Sequence, residues 1–382
     1  MKDRTKLIAA VLVVVCLAGI CVAWAANDRP TEKAYVTCNV LEIGDYEGCW
    51  LDLTKSQMYE LNVPYGTDLY VELEGKTLKA LYCMDYAGVP TFSLFLSYVT
   101  DDEMFDLAIF NGELTDFIDV SVGDPVKISV AGPNKYYSDL TGYIDGISVD
   151  REDYDSDEAF ANFRELDGGF ISDDTFYRSC TPWYGTDRGE IADDFYESAE
   201  VDWLICLNTD EELLEIYVEI MPDLYSSELF RQGKVHARQL TPAVQSNSDE
   251  VLWFIDSILD TDGKVGIFCT YGKDRTGIYC FMLQALAGVS FEDAKDEFML
   301  SMLNYYGVEK STPEYDALYD LYLFRLLYLI QHTDMIDNYL YVDWDNAELD
   351  DFVLEDLVTG YLIDVVGVSQ EKIDALKERL KA

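Results

Sequence analysis

At 382 residues the chain is long enough for two or three domains, each with a buried core. Its 73 Asp and Glu against 27 Lys and Arg give a formal net charge of −46, which argues against nucleic acid or an anionic membrane surface as the main partner. A hydrophobic content of 49% and an aromatic content of 14% exclude a disordered acidic tail. An enzyme with this charge that acts on phosphate must draw local positive potential from a few side chains and from backbone N–H groups.

Residues 1–26 read as an export signal or an uncleaved anchor. Lys2, Arg4 and Lys6 precede the apolar run Leu7–Ala26, and Ala23-Trp24-Ala25 fits a small-x-small cleavage site. The expected location is therefore secreted or cell-surface, with membrane contact only through this segment. Of nine cysteines, Cys16 and Cys21 fall in the apolar run and seven lie beyond it, an odd number that leaves at least one free thiol. Cys38 and Cys49 form a candidate disulfide pair, while Cys83, Cys180, Cys206 and Cys280 read as small buried hydrophobes. Two histidines, His236 and His332, and the lack of a C-x-x-C pair speak against a zinc site.

Residues 27–152 predict a small all-β barrel or sandwich. Short apolar or alternating runs occur at Tyr35–Val40, Leu69–Leu73, Leu78–Tyr82, Phe92–Tyr98, Phe105–Phe110 and Val126–Val130. Turn signals at Pro64-Tyr65-Gly66, Glu74-Gly75, Asn111-Gly112 and Val122-Gly123-Asp124-Pro125 separate them. The acidic stretch Asp153–Glu158 reads as a solvated linker, since Glu158 and Arg164 stand where a calcium loop needs Gly and Glu. From 153 to 382 the pattern alternates strand and helix, which predicts an α/β domain with a mostly parallel sheet flanked by helices. Its expected elements are a strand Val201–Leu207, a helix Glu250–Leu259, a strand Val265–Phe268 and a buried helix Thr276–Ala287. C-terminal helices follow, opened by Ser290, by Thr312-Pro313 and by Ser369, the second running to about Gln331.

The chemistry concentrates in Cys269-Thr270-Tyr271-Gly272-Lys273-Asp274-Arg275, placed between the strand Val265–Phe268 and the buried helix. A strand, a tight glycine-containing loop and a helix N-terminus together make a phosphate cradle. Loop amides point at one anion, joined by Thr270, Tyr271, Gly272, Lys273 and Thr276 as phosphate-contacting positions. Arg275 grips two phosphate oxygens with its planar fork. The same field favours a thiolate at Cys269, which attacks phosphorus to give a cysteinyl-phosphate. The leaving oxygen needs a proton, from Asp274 or, alternatively, from Asp210 on the loop after Val201–Leu207. Thr276 is placed to donate a hydrogen bond to the cysteine sulfur. No metal or organic cofactor is required by this scheme. For Asp210 the competing reading is a helix N-cap.

Cys269-Thr270-Tyr271-Gly272-Lys273-Asp274-Arg275-Thr276-Gly277 resembles the C-x-x-G-K-D-R-T-G signature of the bacterial tyrosine/lipid phosphatases. Asn162-Phe163-Arg164-Glu165-Leu166 with Gly168-Gly169, and Tyr177-Arg178-Ser179, resemble two upstream segments of that family. The resemblance spans roughly residues 160–310. It implies a protein-tyrosine-phosphatase-like fold, phosphorylated protein or phosphoinositide as substrate, Asp274 as the acid and Lys273 as a head-group contact. Two positions depart from the family pattern. Phe268 replaces the histidine that supports loop and thiolate, and Asn208 stands where a basic residue is expected. A catalytically weak phosphate-binding module and an inositol-polyphosphate phosphatase are the alternative readings.

Overall fold

The computed structural model describes residues 34–44, 48–84, 89, 93–99, 103–110, 112–134, 147–241 and 247–382. The N-terminal segment read as signal or anchor lies outside them, as do Phe92 at the start of an expected strand and Asn111 of an expected turn. Among the described residues no helix is long and apolar enough to cross a membrane. They divide into two compact units, the first ending at Asn134 and the second running on to Ala382.

The first unit is built from β1 (Tyr35–Ile43), β2 (Cys49–Leu51), α1 (Lys55–Leu61), β3 (Thr67–Leu73), β4 (Lys76–Cys83), β5 (Leu94–Val99), β6 (Met104–Ile109) and β7 (Pro125–Pro133). Its strands close into a barrel in the order β1-β2-β6-β5-β4-β3-β7, the barrel alternative of the sequence reading. Alternation sets the inside: Val36, Cys38 and Val40 of β1 are buried while Tyr35, Thr37 and Asn39 face out. Glu74 and Gly75 both take positive φ (47° and 74°), the geometry that joins β3 to β4 by a two-residue hairpin. Two elements went unforeseen. The three-residue β2 is too short to show periodicity. The signal for α1 was present in Thr54 and Gln57, which form a reciprocal capping box.

The candidate Cys38–Cys49 disulfide is corrected: both thiols are free and buried. Cys49 pairs across the ladder with Ile43, five residues along β1 from Cys38, which is about 16 Å of strand and far beyond bridging distance. Burial, reinforced by Asp52 and by Asp106 and Asp124 respectively, pushes these thiols up to about 12 and about 11.

The second unit opens with a further correction. The stretch read as a linker is ordered: Arg151–Asp153 forms a 3-10 turn, and Ser156 caps α2 (Asp157–Ala161) by accepting from the Ala159 amide. Tyr154 in its middle packs edge-on against Phe160 and Tyr305. One buried aromatic anchors a segment whose charge count alone suggested solvent.

Then follow β8 (Arg164–Glu165), β9 (Phe176–Cys180), α3 (Asp187–Ser198), β10 (Trp203–Cys206), α4 (Glu211–Ile220), α5 (Tyr225–Arg231), β11 (Val235–Ala237), α6 (Ser248–Leu259), β12 (Val265–Cys269), α7 (Asp274–Leu286) and α8 (Phe291–Tyr306). The sheet order is β11-β10-β12-β9-β8. Four strands run parallel and β8 closes one edge antiparallel to β9. The central strand β12 is apolar throughout and covered on both faces, as parallel sheets require. Helix α7 is buried from Thr276 to Leu286 and forms the core of one face. After Thr312, whose hydroxyl accepts from the Tyr315 amide, come α9 (Pro313–Tyr319), a single π-helical turn (Asp320–Phe324) and α10 (Arg325–Gln331). The helices α11 (Leu354–Asp364) and α12 (Gln370–Leu380) complete the unit, the latter capped by Ser369.

Candidate active site

The parallel strands β9, β10, β11 and β12 end at one side of the sheet, so the segments that leave them gather there; in open α/β sheets this is where ligands bind. Strand alternation separates the two residues at the end of β12. Cys269 shares a face with Ile267 and joins the cluster around α6, α7 and α8. Phe268 points the other way, into an apolar group with Trp183 and Tyr196 at ring distances of 5.7 and 6.4 Å. A phenylalanine there supplies packing and no hydrogen bond.

From Cys269 the chain turns through four loop residues into α7, which begins at Asp274. Gly272 makes the turn possible. Its φ is +64°, and a Cβ on it would lie 2.1 Å from the Ser179 carbonyl oxygen. The loop carbonyls are tied outward. Thr270 O accepts from the Thr181 amide at 3.3 Å. Tyr271 O accepts from Asn162 Nδ2 at 3.2 Å and from the Tyr305 hydroxyl at 2.6 Å. Gly272 O accepts from Asn162 Nδ2 at 3.0 Å and from Arg178 at 2.6 Å. In a trans peptide the N–H points opposite to the C=O, so outward carbonyls direct the Tyr271 and Lys273 amides to the loop's inner side. The first amides of α7 have no intrahelical acceptor and add to the same side.

The predicted side chains are distributed as follows. Cys269 is 2% exposed, at the bottom of the loop. Arg275 is half-buried on the first turn of α7 and donates to the Leu207 carbonyl at the end of β10, 3.3 Å away. Thr276 Oγ1 is buried and without a hydrogen-bond partner, a donor held in reserve next to the loop. Tyr271 accepts from the Tyr184 hydroxyl at 2.8 Å, and the two rings stand 5.7 Å apart as a half-exposed aromatic pair. Lys273 is 4% exposed. Its ammonium sits 2.8 Å from Asp274 Oδ1 and 4.2 Å above the Tyr322 ring. Burial works against that charge, yet Asp274 and then Tyr322 and Tyr306 more than offset it and hold the ammonium well above the usual lysine range. Asp210 caps α4, its carboxylate accepting from the Leu213 amide at 2.9 Å.

Beneath the loop lies a charged cluster that the motif did not reveal. Arg178 is fully buried, and its guanidinium meets both Glu297 oxygens at 3.0 and 2.7 Å. Arg164 donates to the same Glu297 at 2.7 Å, to Asn162 Oδ1 at 2.6 Å and to Ser301 at 3.0 Å. Burial disfavours the Glu297 charge, but the two guanidiniums outweigh it and hold its carboxyl below the usual range. Arg188, also buried, lies among the rings of Tyr154, Phe160 and Tyr305 and donates to the Tyr154 hydroxyl and the Phe160 carbonyl. Asn162 and Arg178 stood in segments quoted for the family resemblance. Glu297, Ser301, Tyr305 and Tyr322 lie on C-terminal helices where ordinary helix periodicity hid them. Cys180, the ladder partner of Cys269, and Cys206 and Cys280 are all buried, and desolvation pushes each up to about 12, which leaves them inert as nucleophiles.

Residues 226–382, which contain this loop, match the tyrosine phosphatase family. The loop and the helices after it thus lie in a stretch similar to the tyrosine phosphatases. The matched stretch takes in β12, the loop and the C-terminal helices, while Asn162 and Arg178 precede it. No curated protein sequence matches. Among solved structures the chain is similar to an uncharacterised conserved protein of Thermotoga maritima, with 18% identity and a TM-score of 0.24 over 26% of this chain and 37% of that one. A conserved hypothetical protein of Thermus thermophilus gives 15% identity and a TM-score of 0.20 over the same shares, 26% and 37%. The chain thus spans little more than a third of the length of these two. The core catalytic domain of the PP-IP phosphatase SIW14 from S. cerevisiae gives 14% identity and a TM-score of 0.25 over 46% of this chain and 93% of that one.

Proposed function

We propose that the phosphatase domain hydrolyses phosphate monoesters through a cysteinyl-phosphate on Cys269, with an aryl phosphate such as phosphotyrosine as the preferred substrate. The observation that carries this reading is the loop itself: a cysteine at the end of a strand, loop carbonyls held by Asn162, Arg178 and Tyr305, and a helix that starts directly after it. The thiolate attacks phosphorus in line with the ester oxygen, the P–O bond breaks and the leaving oxygen takes a proton from Asp274. Water then attacks phosphorus, its proton returns to Asp274 and the P–S bond breaks to release inorganic phosphate. Thr276 Oγ1, buried and unpartnered, donates to the departing sulfur. Arg275 holds two phosphate oxygens throughout.

The Tyr271–Tyr184 pair supports an aryl substrate, since an aromatic flank stacks on a phenyl ring. Lys273 turns its ammonium to Asp274 and Tyr322, which supports a role in holding the acid more than one in gripping a lipid head group. Asp210 is committed to its helix cap, which favours Asp274 as the acid. The basic and apolar N-terminal segment supports export of the chain.

The test is turnover of phosphotyrosine peptides, phosphoserine peptides and phosphoinositides by wild type and Cys269→Ser. Turnover of the aryl ester that Cys269→Ser abolishes supports the proposal. Phosphopeptide binding without turnover in the wild type would assign the loop to recognition instead, and preference for an inositol phosphate would move the substrate class.

A further inference from the structure

The nucleophile lacks the histidine neighbour that would support it, because Phe268 occupies that place and faces an apolar cluster on the opposite side of the sheet. A buried arginine on the adjacent strand approaches the loop. Arg178 lies on β9, in ladder register with Ile267, two residues short of the Cys180–Cys269 pair. Its guanidinium is fully buried and reaches past the sheet to the Gly272 carbonyl at 2.6 Å. Below, Arg178 and Arg164 share one carboxylate, Glu297. Two guanidiniums against one carboxylate leave an excess positive charge beneath the loop, where solvent does not screen it. Arg178 Nε has no hydrogen-bond partner, so its charge is not fully spent on neighbours. The other charged groups around the loop are Arg275, Lys273 with Asp274 beside it, and Arg188 near Cys180.

We infer that Arg178 is a positioning residue for the nucleophile: it pins the Gly272 carbonyl away from the substrate and supplies the buried charge that favours a thiolate at Cys269. The inference rests on the proposed role of Cys269. Arg178 is coupled to that sulfur through space. Burial opposes its charge, but Glu297 and then the sulfurs of Cys280 and Cys269 hold its proton more tightly than usual, while Arg164, disfavoured by burial and by Arg178 beside it, holds its own less tightly.

The experiment alkylates the full chain with iodoacetamide at mildly acid pH and follows the peptide carrying Cys269 by mass spectrometry, alongside kcat/KM on an aryl phosphate. Arg178→Gln keeps a donor for the Gly272 carbonyl but loses the charge, and Cys269 in it is expected to react about tenfold more slowly at unchanged circular dichroism. Arg178→Lys keeps the charge but not the fork, and should recover most of the alkylation rate while kcat/KM stays low. A folded Arg178→Gln that reacts at the wild-type rate overturns the inference. If Arg178→Gln does not fold, Glu297→Gln reads the same balance from the other side: alkylation should quicken about threefold, and an unchanged or slower rate overturns the inference. Wild-type turnover with unaffected variants sinks this inference alone. A wild-type Cys269 that reacts no faster than a small free thiol, in a chain without turnover, sinks the proposed function with it.

Discussion

Asp274 holds its carboxylate 2.8 Å from an ammonium that is itself sealed beneath aromatic rings. A side chain so placed is either an acid held ready by its neighbour or half of a structural ion pair. The leaving group separates the two. Protonation matters for a poor leaving group such as phenoxide and hardly at all for a stable one such as p-nitrophenoxide. Asp274→Asn is therefore expected to lower kcat on phenyl phosphate by about 10²-fold or more and on p-nitrophenyl phosphate by less than about tenfold. Equal losses on both esters would make the carboxylate a structural partner of Lys273. The consecutive residues Cys269 to Thr276 were legible because the chemistry and the spacing lie in one short stretch. That Arg178, Asn162 and Tyr305 aim the loop was not, although the first two stood in family-resembling segments, because each sits about a hundred or dozens of residues away and is brought in only by packing.

Among the elements, α7 is anchored at both ends by close backbone approach. At its N-terminus the glycine of the loop lies against Ser179; at its C-terminus the Ala287 carbonyl accepts from Phe170 at 3.0 Å, and Gly169, at φ +57°, would place a Cβ 2.1 Å from that same oxygen. Gly169→Ala adds a disfavoured φ to a backbone clash, and should destabilise the domain by roughly 2 kcal/mol or more. In a domain of this size that lowers Tm by about 5 °C, read by calorimetry. An unchanged Tm would mean that this junction is slack. The double glycine was visible in the sequence; the helix end it packs against was not. The π-helical turn Asp320–Phe324 shows the limit of periodicity from another side. The Leu- and Tyr-rich pattern predicted one uninterrupted helix to Gln331. One residue of slippage in the helix ladder leaves that composition unchanged and sets the Tyr322 ring 4.2 Å from the Lys273 ammonium.

For the molecule as a whole, the formal net charge of −46 repels any dianionic substrate, while the excess charge beneath the loop acts only at close range. Added salt screens the long-range repulsion and leaves the buried charges largely untouched. Raising sodium chloride from about 10 to about 300 mM is thus expected to increase kcat/KM for a small aryl phosphate severalfold, mainly through KM. A fall with salt would mean that exposed positive potential steers the substrate and that the acidic surface is remote from its path.

What the sequence by itself determined is local: the Cys269–Thr276 loop, the strand before it, the buried helix after it, the β-rich first half, and the capped C-terminal helices. These depend on spacing of a few residues, alternation of period two, and caps that a side chain makes with its own neighbours. Only the tertiary structure decided that the β-rich half closes into a barrel, that the acidic stretch after residue 150 is tied down by Tyr154, and that two arginines share one glutamate under the loop. Those outcomes depend on which distant groups are buried together. Burial sets whether a charge is screened or must find a partner, and a one-dimensional pattern does not carry that information.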